Sequence, residues 1–182
     1  MPPGRLAVQL RDKTAATAEL ARTAAALRAA TSRVGALFVV NAPTREALYV
    51  AVDVGADGVH VPCHTESIAE ARRLVGDCRW VSTPAHTDAD VTTAALGGAT
   101  GVLVSPIFAT PGKGPARGPE ALTRARSLGH RVLIYALGGV DASCVSACAR
   151  AGADGVAVIR AMLDAADPAH LARALAAPFD PT

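Results

Sequence analysis

The heptapeptide Gly55-Ala56-Asp57-Gly58-Val59-His60-Val61 has two further versions along the chain, Gly98-Ala99-Thr100-Gly101-Val102-Leu103-Val104 and Gly152-Ala153-Asp154-Gly155-Val156-Ala157-Val158. In each version the first glycine suits the left-handed backbone that ends a helix, and the apolar residues after the second glycine predict a strand. The copies begin at positions 55, 98 and 152, a spacing too irregular for a solenoid but natural for strand–helix units whose loops differ in length. The heptapeptide therefore predicts three helix-to-strand junctions.

Four other short runs are apolar on both faces, as strands of a parallel sheet covered by helices should be, and lie at 6–10, 36–40, 79–82 and 132–137. Segments between the strands predict helices over 17–32, 44–54, 67–75, 88–96, 119–128, 142–151 and 168–176. Thr87 with Asp90, and Asp167 with Pro168, are typical of helix starts. Strict alternation predicts an α/β protein with a parallel sheet and about seven βα units. A closed (β/α)8 barrel needs eight strands, so the count is one short, at the front of the chain.

Composition excludes several classes of protein. The chain has 182 residues, of which 51% are hydrophobic and 19% charged, so one globular domain spanning 1–182 is predicted rather than disorder. A net charge of +2 and 3% aromatic residues argue against nucleic-acid binding. No apolar run reaches the roughly 18 residues of a membrane helix, and no signal core is present, so no membrane partner is expected. The four cysteines form no Cys-x-x-Cys pair, which favours a reduced, cytoplasmic protein.

The chain contains sixteen arginines but only two lysines, Lys13 and Lys113, and both lysines follow predicted strands in loops. A lysine ammonium is a compact point charge that can sit on a phosphate oxygen. Their placement favours a phosphorylated small-molecule ligand, although two lysines could also fall in loops by chance.

Ligands of parallel βα folds bind at the carboxyl ends of the strands. Most residues at those ends are polar or cationic, and the candidates are Gln9, Arg11, Lys13, Asn41, Cys63, His64, Thr83, His86, Ser105, Thr110, Lys113, Gly138, Gly139, Ile159 and Arg160. Gly138 and Gly139 let backbone approach a ligand closely, and the amides near Ile159 and Arg160 open a short helix. Loops after the last two strands with such a helix are a recurring phosphate site, the alternative being a mere tight turn at the glycines.

His86 is the predicted proton carrier because imidazole titrates near neutral pH, the alternative being a hydrogen-bonded structural histidine. For His60, inside a strand, a structural role is favoured. Cys63 and His64 could form half a metal site or a thiol–imidazole pair, but adjacent residues seldom provide both groups. His130 and His170 are predicted to lie on the surface.

Six motifs in this order resemble the thiamine phosphate synthase/TenI family from Leu6 to about Leu163. They are Gln9-Leu10-Arg11-Asp12-Lys13, the heptapeptide at 55–61, Ala85-His86-Thr87, the segment from Ser105-Pro106-Ile107-Phe108 to Lys113, Leu137-Gly138-Gly139-Val140 and the heptapeptide at 152–158. The resemblance implies a (β/α)8 TIM-barrel fold that handles a thiazole phosphate, here without the family's first strand and helix. Synthases of the family join this thiazole to hydroxymethylpyrimidine diphosphate with Mg²⁺, whereas TenI-like tautomerases aromatise thiazole carboxylate phosphate by moving a proton.

Carried over residue by residue, the resemblance assigns the candidate site. Gln9, Arg11 and Lys13 match the diphosphate-binding strand, and Asn41 matches the asparagine after the next strand. The phosphorylated thiazole is assigned to Gly138, Gly139 and the amides near Ile159. Thr110 and Lys113 match a Thr-x-Thr-Lys loop, and His86 matches the tautomerase histidine.

The chain departs from the synthase pattern where Mg²⁺ should bind. Ala42 and Thr65 stand in place of two aspartates, and Mg²⁺ prefers carboxylate oxygens. Gly112 replaces a threonine, Pro84 a serine and Arg160 a small residue. These losses affect the diphosphate and metal half, so the favoured interpretation is a TenI-like thiazole tautomerase with His86 as acid/base, no metal ligands and no required cofactor.

Two alternatives stay open. The first is a thiamine phosphate synthase with a rearranged Mg²⁺ site, using His64 or Asp12. The second is a non-catalytic phosphate-ligand-binding barrel. Because a missing first strand would leave exposed sheet edges, self-association into a homo-oligomer is a further expectation.

Overall fold

The computed structural model describes residues 5–77, 79–128 and 131–180. Seven strands lie in this part of the chain: β1 Ala7–Leu10, β2 Leu37–Asn41, β3 Gly58–His60, β4 Trp80–Ala85, β5 Gly101–Val104, β6 Leu133–Leu137 and β7 Gly155–Ala157. Helices alternate with them: α1 Thr17–Val34, α2 Arg45–Asp53, α3 Thr65–Val75, α4 Asp88–Leu96, α5 Glu120–Leu128, α6 Val145–Arg150, α7 Arg160–Leu163 and α8 Pro168–Ala176, with a final 3-10 turn at Ala177–Phe179. Strand order follows chain order, and the pairs β1–β2, β2–β3, β3–β4, β5–β6 and β6–β7 are parallel.

The chain divides into two compact units, and the boundary crosses β4. The first unit comprises residues 1–83 with 96–100, and the second comprises 84–95 with 101–182. In the first unit, the residues that alternate toward the helices are fully buried: Phe38, Val40, Val59 and Val81 are 0% exposed. In the second unit, strand residues such as Val102 and Ile134 are equally buried, as are Leu122 and Ala125 of α5. Each unit therefore has an apolar core on the helix-covered side of its strands.

The repeated heptapeptide has a common structural reason. In the first copy, Gly55 has a φ of 65° and follows the end of α2, as expected for a residue that ends a helix. The Asp57 carboxylate accepts hydrogen bonds from the backbone N–H of Phe38 at 2.8 Å and from the Arg28 guanidinium at 2.7 Å. The motif therefore ties a helix arginine to the neighbouring strand through one side chain.

The other two copies repeat this arrangement at the third position of the motif. In each, one side-chain oxygen accepts from a strand N–H and from a helix arginine: Thr100 Oγ1 from Val81 at 3.1 Å and Arg72 at 2.9 Å, and Asp154 Oδ2 from Ile134 at 2.7 Å and from Arg126. The positions lie at the amino-terminal ends of strands, where barrel-type folds carry stability rather than chemistry.

Most predicted elements are confirmed, and two boundaries are corrected. Strand β4 runs to Ala85 instead of ending at residue 82, so Thr83 lies inside the strand, 0% exposed, rather than in a loop. Its end is held by the N–H of Ser105, which donates to the Ala85 carbonyl at 3.1 Å. Helix α6 begins at Val145 rather than at residue 142, because Asp141 accepts from Ser143 in a turn that precedes the helix.

Both predicted helix starts are confirmed. The N–H of Asp90 donates to Thr87 Oγ1 at 3.2 Å while the N–H of Thr87 donates to Asp90 Oδ2 at 2.8 Å. Asp167 accepts from the N–H of His170 at 2.9 Å, and Pro168 opens α8. His170 is exposed as predicted, whereas His130 lies outside the described residues.

Among the residues of β1, only Leu10 is buried. The expected self-association into a homo-oligomer stays a prediction. Within the described ranges, no helix is both long and apolar enough to cross a bilayer.

Candidate active site

Polar side chains share one face of the first unit's sheet. The register pairs Asn41 with His60 and His60 with Ser82, so these three lie in one row across β2, β3 and β4. Side chains of a strand alternate between faces, and Gln9 of β1, which pairs with Val39, falls on the same side. We call these four residues the polar face. Arg11 directly follows β1, and its charge acts on His60.

The loop after β1 is ordered by one carboxylate. Asp12 Oδ1 accepts from the N–H of Thr14 at 2.9 Å, from its hydroxyl at 3.0 Å and from the N–H of Ala15 at 3.0 Å. These bonds, led by that from the Thr14 amide, lower the pKa of Asp12. Arg11 and Lys13 flank this turn and are exposed. Two exposed cations thus flank an ordered turn at the carboxyl end of β1.

The residues present do not fit a Mg²⁺ site of the kind the family resemblance implies. Ala42 is 2% exposed and supplies no oxygen ligand from its side chain, and Thr65 opens α3 as an exposed residue. His64 is the N-cap of that helix without a side-chain capping bond. In the part of the chain that the structure describes, no three His, Cys, Asp or Glu side chains come together as a metal site. Mg²⁺ prefers several oxygen ligands, carboxylates above all, whereas the oxygens on the polar face belong to the amides of Gln9 and Asn41 and the hydroxyl of Ser82.

In the second unit, the loop after β5 packs on the end of β6. The N–H of Ile107 donates to the Leu137 carbonyl at 3.0 Å and that of Phe108 to the Gly138 carbonyl at 2.9 Å. Thr110 Oγ1 donates to the Phe108 carbonyl at 3.0 Å, and the N–H of Lys113 donates to the Thr110 carbonyl at 3.1 Å. The hydroxyl of Thr110 therefore shapes the loop, while the Lys113 ammonium is exposed at its tip.

Gly138 and Gly139 are required by this packing. They have φ values of 95° and 65°, in the left-handed region that favours glycine. A Cβ on Gly138 would lie 2.9 Å from Pro106 Cα, and one on Gly139 would lie 2.7 Å from the Ala109 carbonyl oxygen. The two glycines thus accommodate the protein's own loop, and a role in binding phosphate stays a prediction.

Ile159 and Arg160 lie where the chain leaves β7. Ile159 is the N-cap of the four-residue helix α7 and is 55% exposed, and Arg160 is its first residue. The first amides of any helix lack intrahelical acceptors, so they can donate to an external anion. The exposed guanidinium of Arg160 adds a positive charge at the same point.

His86 is held by two elements of the second unit. Its N–H donates to Asp90 Oδ2 at 2.7 Å, and its ring Nδ1 lies 3.2 Å from the Ser105 carbonyl oxygen and 3.3 Å from Ser105 Oγ. A carbonyl oxygen can only accept, so Nδ1 carries a proton, and in the neutral form of the ring Nε2 carries the lone pair. The exposed imidazole is therefore oriented as an acceptor through Nε2.

Sequence reasoning missed the groups that fix this histidine and the adjacent loop. Arg117 donates to the Ala85 carbonyl at 3.2 Å and to Asp88 Oδ1 at 2.7 Å, joining the end of the β5–α5 loop to the start of α4. The sequence places Ser105 at the end of a predicted strand but indicates no contact with His86. These contacts join residues 19 to 32 positions apart, and no local pattern indicates them.

Strand–helix alternation, parallel strands in chain order and polar strand ends define a protein of the TIM-barrel class, with seven strands among its described residues. A family model described as thiamine monophosphate synthase matches residues 2–162. The chain belongs to this thiamine phosphate synthase/TenI family, as the motifs predicted.

Individual relatives agree with the family. The chain is 40% identical to a thiamine-phosphate synthase of Methanoculleus marisnigri over 171 residues, 92% of this chain and 79% of the relative. It is 38% identical to a thiamine-phosphate synthase of Chloroflexus aurantiacus over 176 residues, 96% of this chain and 79% of the relative. A solved thiamine phosphate pyrophosphorylase from Pyrococcus furiosus superposes with a TM-score of 0.81 at 25% identity, covering 95% of this chain and 82% of that one. The TIM-barrel-type fold is thereby confirmed.

These relatives bear on the choice between activities. Their names are those of synthases, which are transferases, and none of the relatives above is named a tautomerase. The comparisons therefore support the synthase alternative better than the tautomerase interpretation that the sequence favoured.

Proposed function

We propose that the protein is a thiamine phosphate synthase that joins hydroxymethylpyrimidine diphosphate to thiazole phosphate. The observation that carries the proposal is 40% identity to a named synthase over 92% of the chain. In this reaction a ring nitrogen of the thiazole forms a bond to the pyrimidine methylene carbon, while the bond from that carbon to the diphosphate oxygen breaks. Pyrophosphate leaves with the bonding electron pair.

The first unit supplies the groups for the diphosphate substrate. Arg11 and Lys13 are exposed cations on either side of an ordered turn, and they bind the diphosphate oxygens. Gln9 and Asn41 offer amide donors and acceptors on the polar face. Because Ala42 and Thr65 supply no carboxylate, the negative charge that builds up on departing pyrophosphate is stabilised by these cations, as preorganised positive groups do at such sites.

The second unit supplies the groups for thiazole phosphate. The amides at the start of α7 and the guanidinium of Arg160 donate to its phosphate, beside the backbone of Gly138 and Gly139. The Lys113 ammonium, exposed at the tip of the loop that Thr110 shapes, adds a compact point charge. We further propose a cytoplasmic location, since the four cysteines of the chain form no Cys-x-x-Cys pair.

One observation favours a second candidate, the thiazole tautomerase. Ser105 fixes the Nδ1 proton of His86, and among the residues that the structure describes no hydrogen bond is made to Nε2. Such a nitrogen can take a proton from a carbon acid, and this chemistry requires no metal ligands. On this hypothesis, His86→Gln abolishes proton exchange on thiazole carboxylate phosphate.

The synthase proposal is tested by removing one cation from the first unit. Arg11→Gln should lower kcat/KM for thiamine phosphate formation by about 100- to 1000-fold, the usual effect of losing one donor that stabilises charge in the transition state. Arg33→Gln, at the exposed end of α1, is the matched control and should retain the wild-type rate. Equal rates for wild type, Arg11→Gln and Arg33→Gln would remove the assigned role of Arg11.

A further inference from the structure

The polar face contains one titratable group that the proposed reaction does not use. His60 ends β3 between Asn41 and Ser82 in the register, and it is half-buried. Its position in a strand favoured a structural role, but the alternation of side chains places it on the same face as the substrate-binding candidates.

The hydrogen bonds of Ser82 define the proton on this histidine. Ser82 Oγ lies 3.0 Å from His60 Nδ1 and 3.3 Å from the Val59 carbonyl oxygen. A hydroxyl has one proton, and a carbonyl oxygen can only accept. Both contacts are hydrogen bonds only if Ser82 donates to Val59 and accepts from Nδ1–H. The remaining ring nitrogen, Nε2, then carries a lone pair.

The surroundings keep this ring neutral. Burial, with a smaller contribution from the charge of Arg11, lowers the pKa of His60 from 6.5 to about 4. At neutral pH, Nε2 is therefore an acceptor and cannot act as a cation beside Arg11.

Nε2 is also open. Among the residues that the structure describes, the only enclosed side-chain polar atom without a partner is Thr83 Oγ1, so Nε2 is not sealed in the core. The hydrogen bond to Ser82 uses Nδ1, and no bond to Nε2 is present within the described ranges. The polar face thus exposes a fixed, neutral acceptor.

An ionised phosphate group cannot donate a hydrogen bond to Nε2, because its oxygens are themselves acceptors. Its charge is instead matched by Arg11 and Lys13. An acceptor next to two cations suits a ligand that carries an N–H donor as well as an anionic group.

We propose that His60 is a specificity-determining residue whose Nε2 accepts a hydrogen bond from the amino group of a heterocyclic diphosphate bound on the polar face. This inference rests on the proposed function, which supplies such a substrate in hydroxymethylpyrimidine diphosphate. Ser82 is the positioning residue that fixes the imidazole tautomer.

The test compares two probes by calorimetry: hydroxymethylpyrimidine diphosphate and inorganic pyrophosphate, which has the charge but no N–H donor. His60→Leu should weaken binding of the pyrimidine diphosphate about three- to tenfold, the effect of one neutral hydrogen bond, and leave pyrophosphate affinity unchanged. His60→Gln, whose amide oxygen can replace the acceptor, should recover most of the loss. His170→Leu, on the exposed side of α8, is the control and should change neither affinity.

If His60→Leu does not fold, Ser82→Ala keeps the imidazole but releases its tautomer, and should weaken only the pyrimidine diphosphate, by about two- to threefold. Equal losses for both probes, or no loss for either, would overturn the role of His60. Failure of the wild-type protein to bind either probe would overturn the proposed function together with this inference, so the two failures are distinguishable.

Discussion

Replacement of Gly139 by alanine should destabilise the protein much more than the same change at Gly55. The two glycines have the same φ, 65°, so the strain of placing an alanine in the left-handed region is matched. Their surroundings differ. A Cβ at Gly139 would lie 2.7 Å from the Ala109 carbonyl oxygen and 2.8 Å from Phe108 Cβ, whereas a Cβ at Gly55 meets nothing within 4 Å.

The magnitude follows from these distances. The backbone strain costs about 1 kcal/mol at either position. Two contacts below 3.0 Å must in addition displace the loop, and overpacking of this kind costs about 1–3 kcal/mol. Gly139→Ala should therefore lose about 1–3 kcal/mol more of the free energy of unfolding than Gly55→Ala. For a chain of this length each kcal/mol lowers Tm by about 2–4 °C.

Urea unfolding followed by circular dichroism measures the difference, with m-values compared to ensure the same transition. Thiazole phosphate affinity, measured on the same samples, should fall only in Gly139→Ala, because only there is the loop of Thr110 and Lys113 displaced. Equal destabilisation of the two variants would refute the argument that Gly139 exists to admit its own loop.

Three other predictions can be checked on the same footing. Thr100→Asp should raise the free energy of unfolding in urea by about 0.5–1.5 kcal/mol, because the other two copies of the heptapeptide bind their arginine through a carboxylate; a loss of stability would contradict this. Arg117→Lys should lower the free energy of unfolding by about 1–2 kcal/mol, since one ammonium cannot bond both a carbonyl and Asp88 as the guanidinium fork does. Arg124→Lys, at the exposed end of the same cluster, should lower it by less than about 0.5 kcal/mol. The folded-state pKa of His60, about 4, lies below its ordinary value of 6.5, so the unfolded chain binds more protons between these two pH values. The free energy of unfolding should therefore fall by at most about 3 kcal/mol as the pH is lowered from 6.5 to 4. His60→Gln should flatten that part of the stability–pH curve, and an unchanged slope would show that this histidine does not cause it.

Local signals account for much of the predicted fold. The heptapeptide recurs because its third residue has the same structural role in each copy. The side chain at 57, 100 and 154 accepts hydrogen bonds from a strand amide and from a helix arginine. The end of β4 was not predictable in this way. Pro84 is typical of a strand end, yet β4 continues through it to Ala85, which pairs with the chain around Ser105.

The candidate site was predictable only in part. Strand ends could be located from the sequence, and with them Arg11, Asn41 and His86. The neighbours that orient these residues could not, because Ser105 reaches His86 across 19 positions and neither residue leaves a periodic signal. The position of His60 beside Asn41 depends on strand register, which no local pattern of these short strands reveals.

The sequence predicted the family correctly but favoured its tautomerase activity over its synthase activity. Ala42 and Thr65 argue against a Mg²⁺ site, and on that ground a tautomerase was favoured. Similarity to named synthases extends over 92–96% of the chain and outweighs two positions as evidence on the reaction. The structure of the first unit also speaks against a Mg²⁺ site, since its polar face offers amides, a hydroxyl and an imidazole rather than carboxylates.

Product formation by the purified protein tests the central claim most directly. The protein is incubated with hydroxymethylpyrimidine diphosphate and thiazole phosphate, with Mg²⁺ in one sample and EDTA in another, and thiamine phosphate is measured by mass spectrometry against a sample without enzyme. The account predicts thiamine phosphate well above that background in both samples, since cationic side chains serve the leaving group. No product from folded protein in either sample would contradict it; proton exchange on thiazole carboxylate phosphate would then identify a tautomerase, and its absence a binding protein.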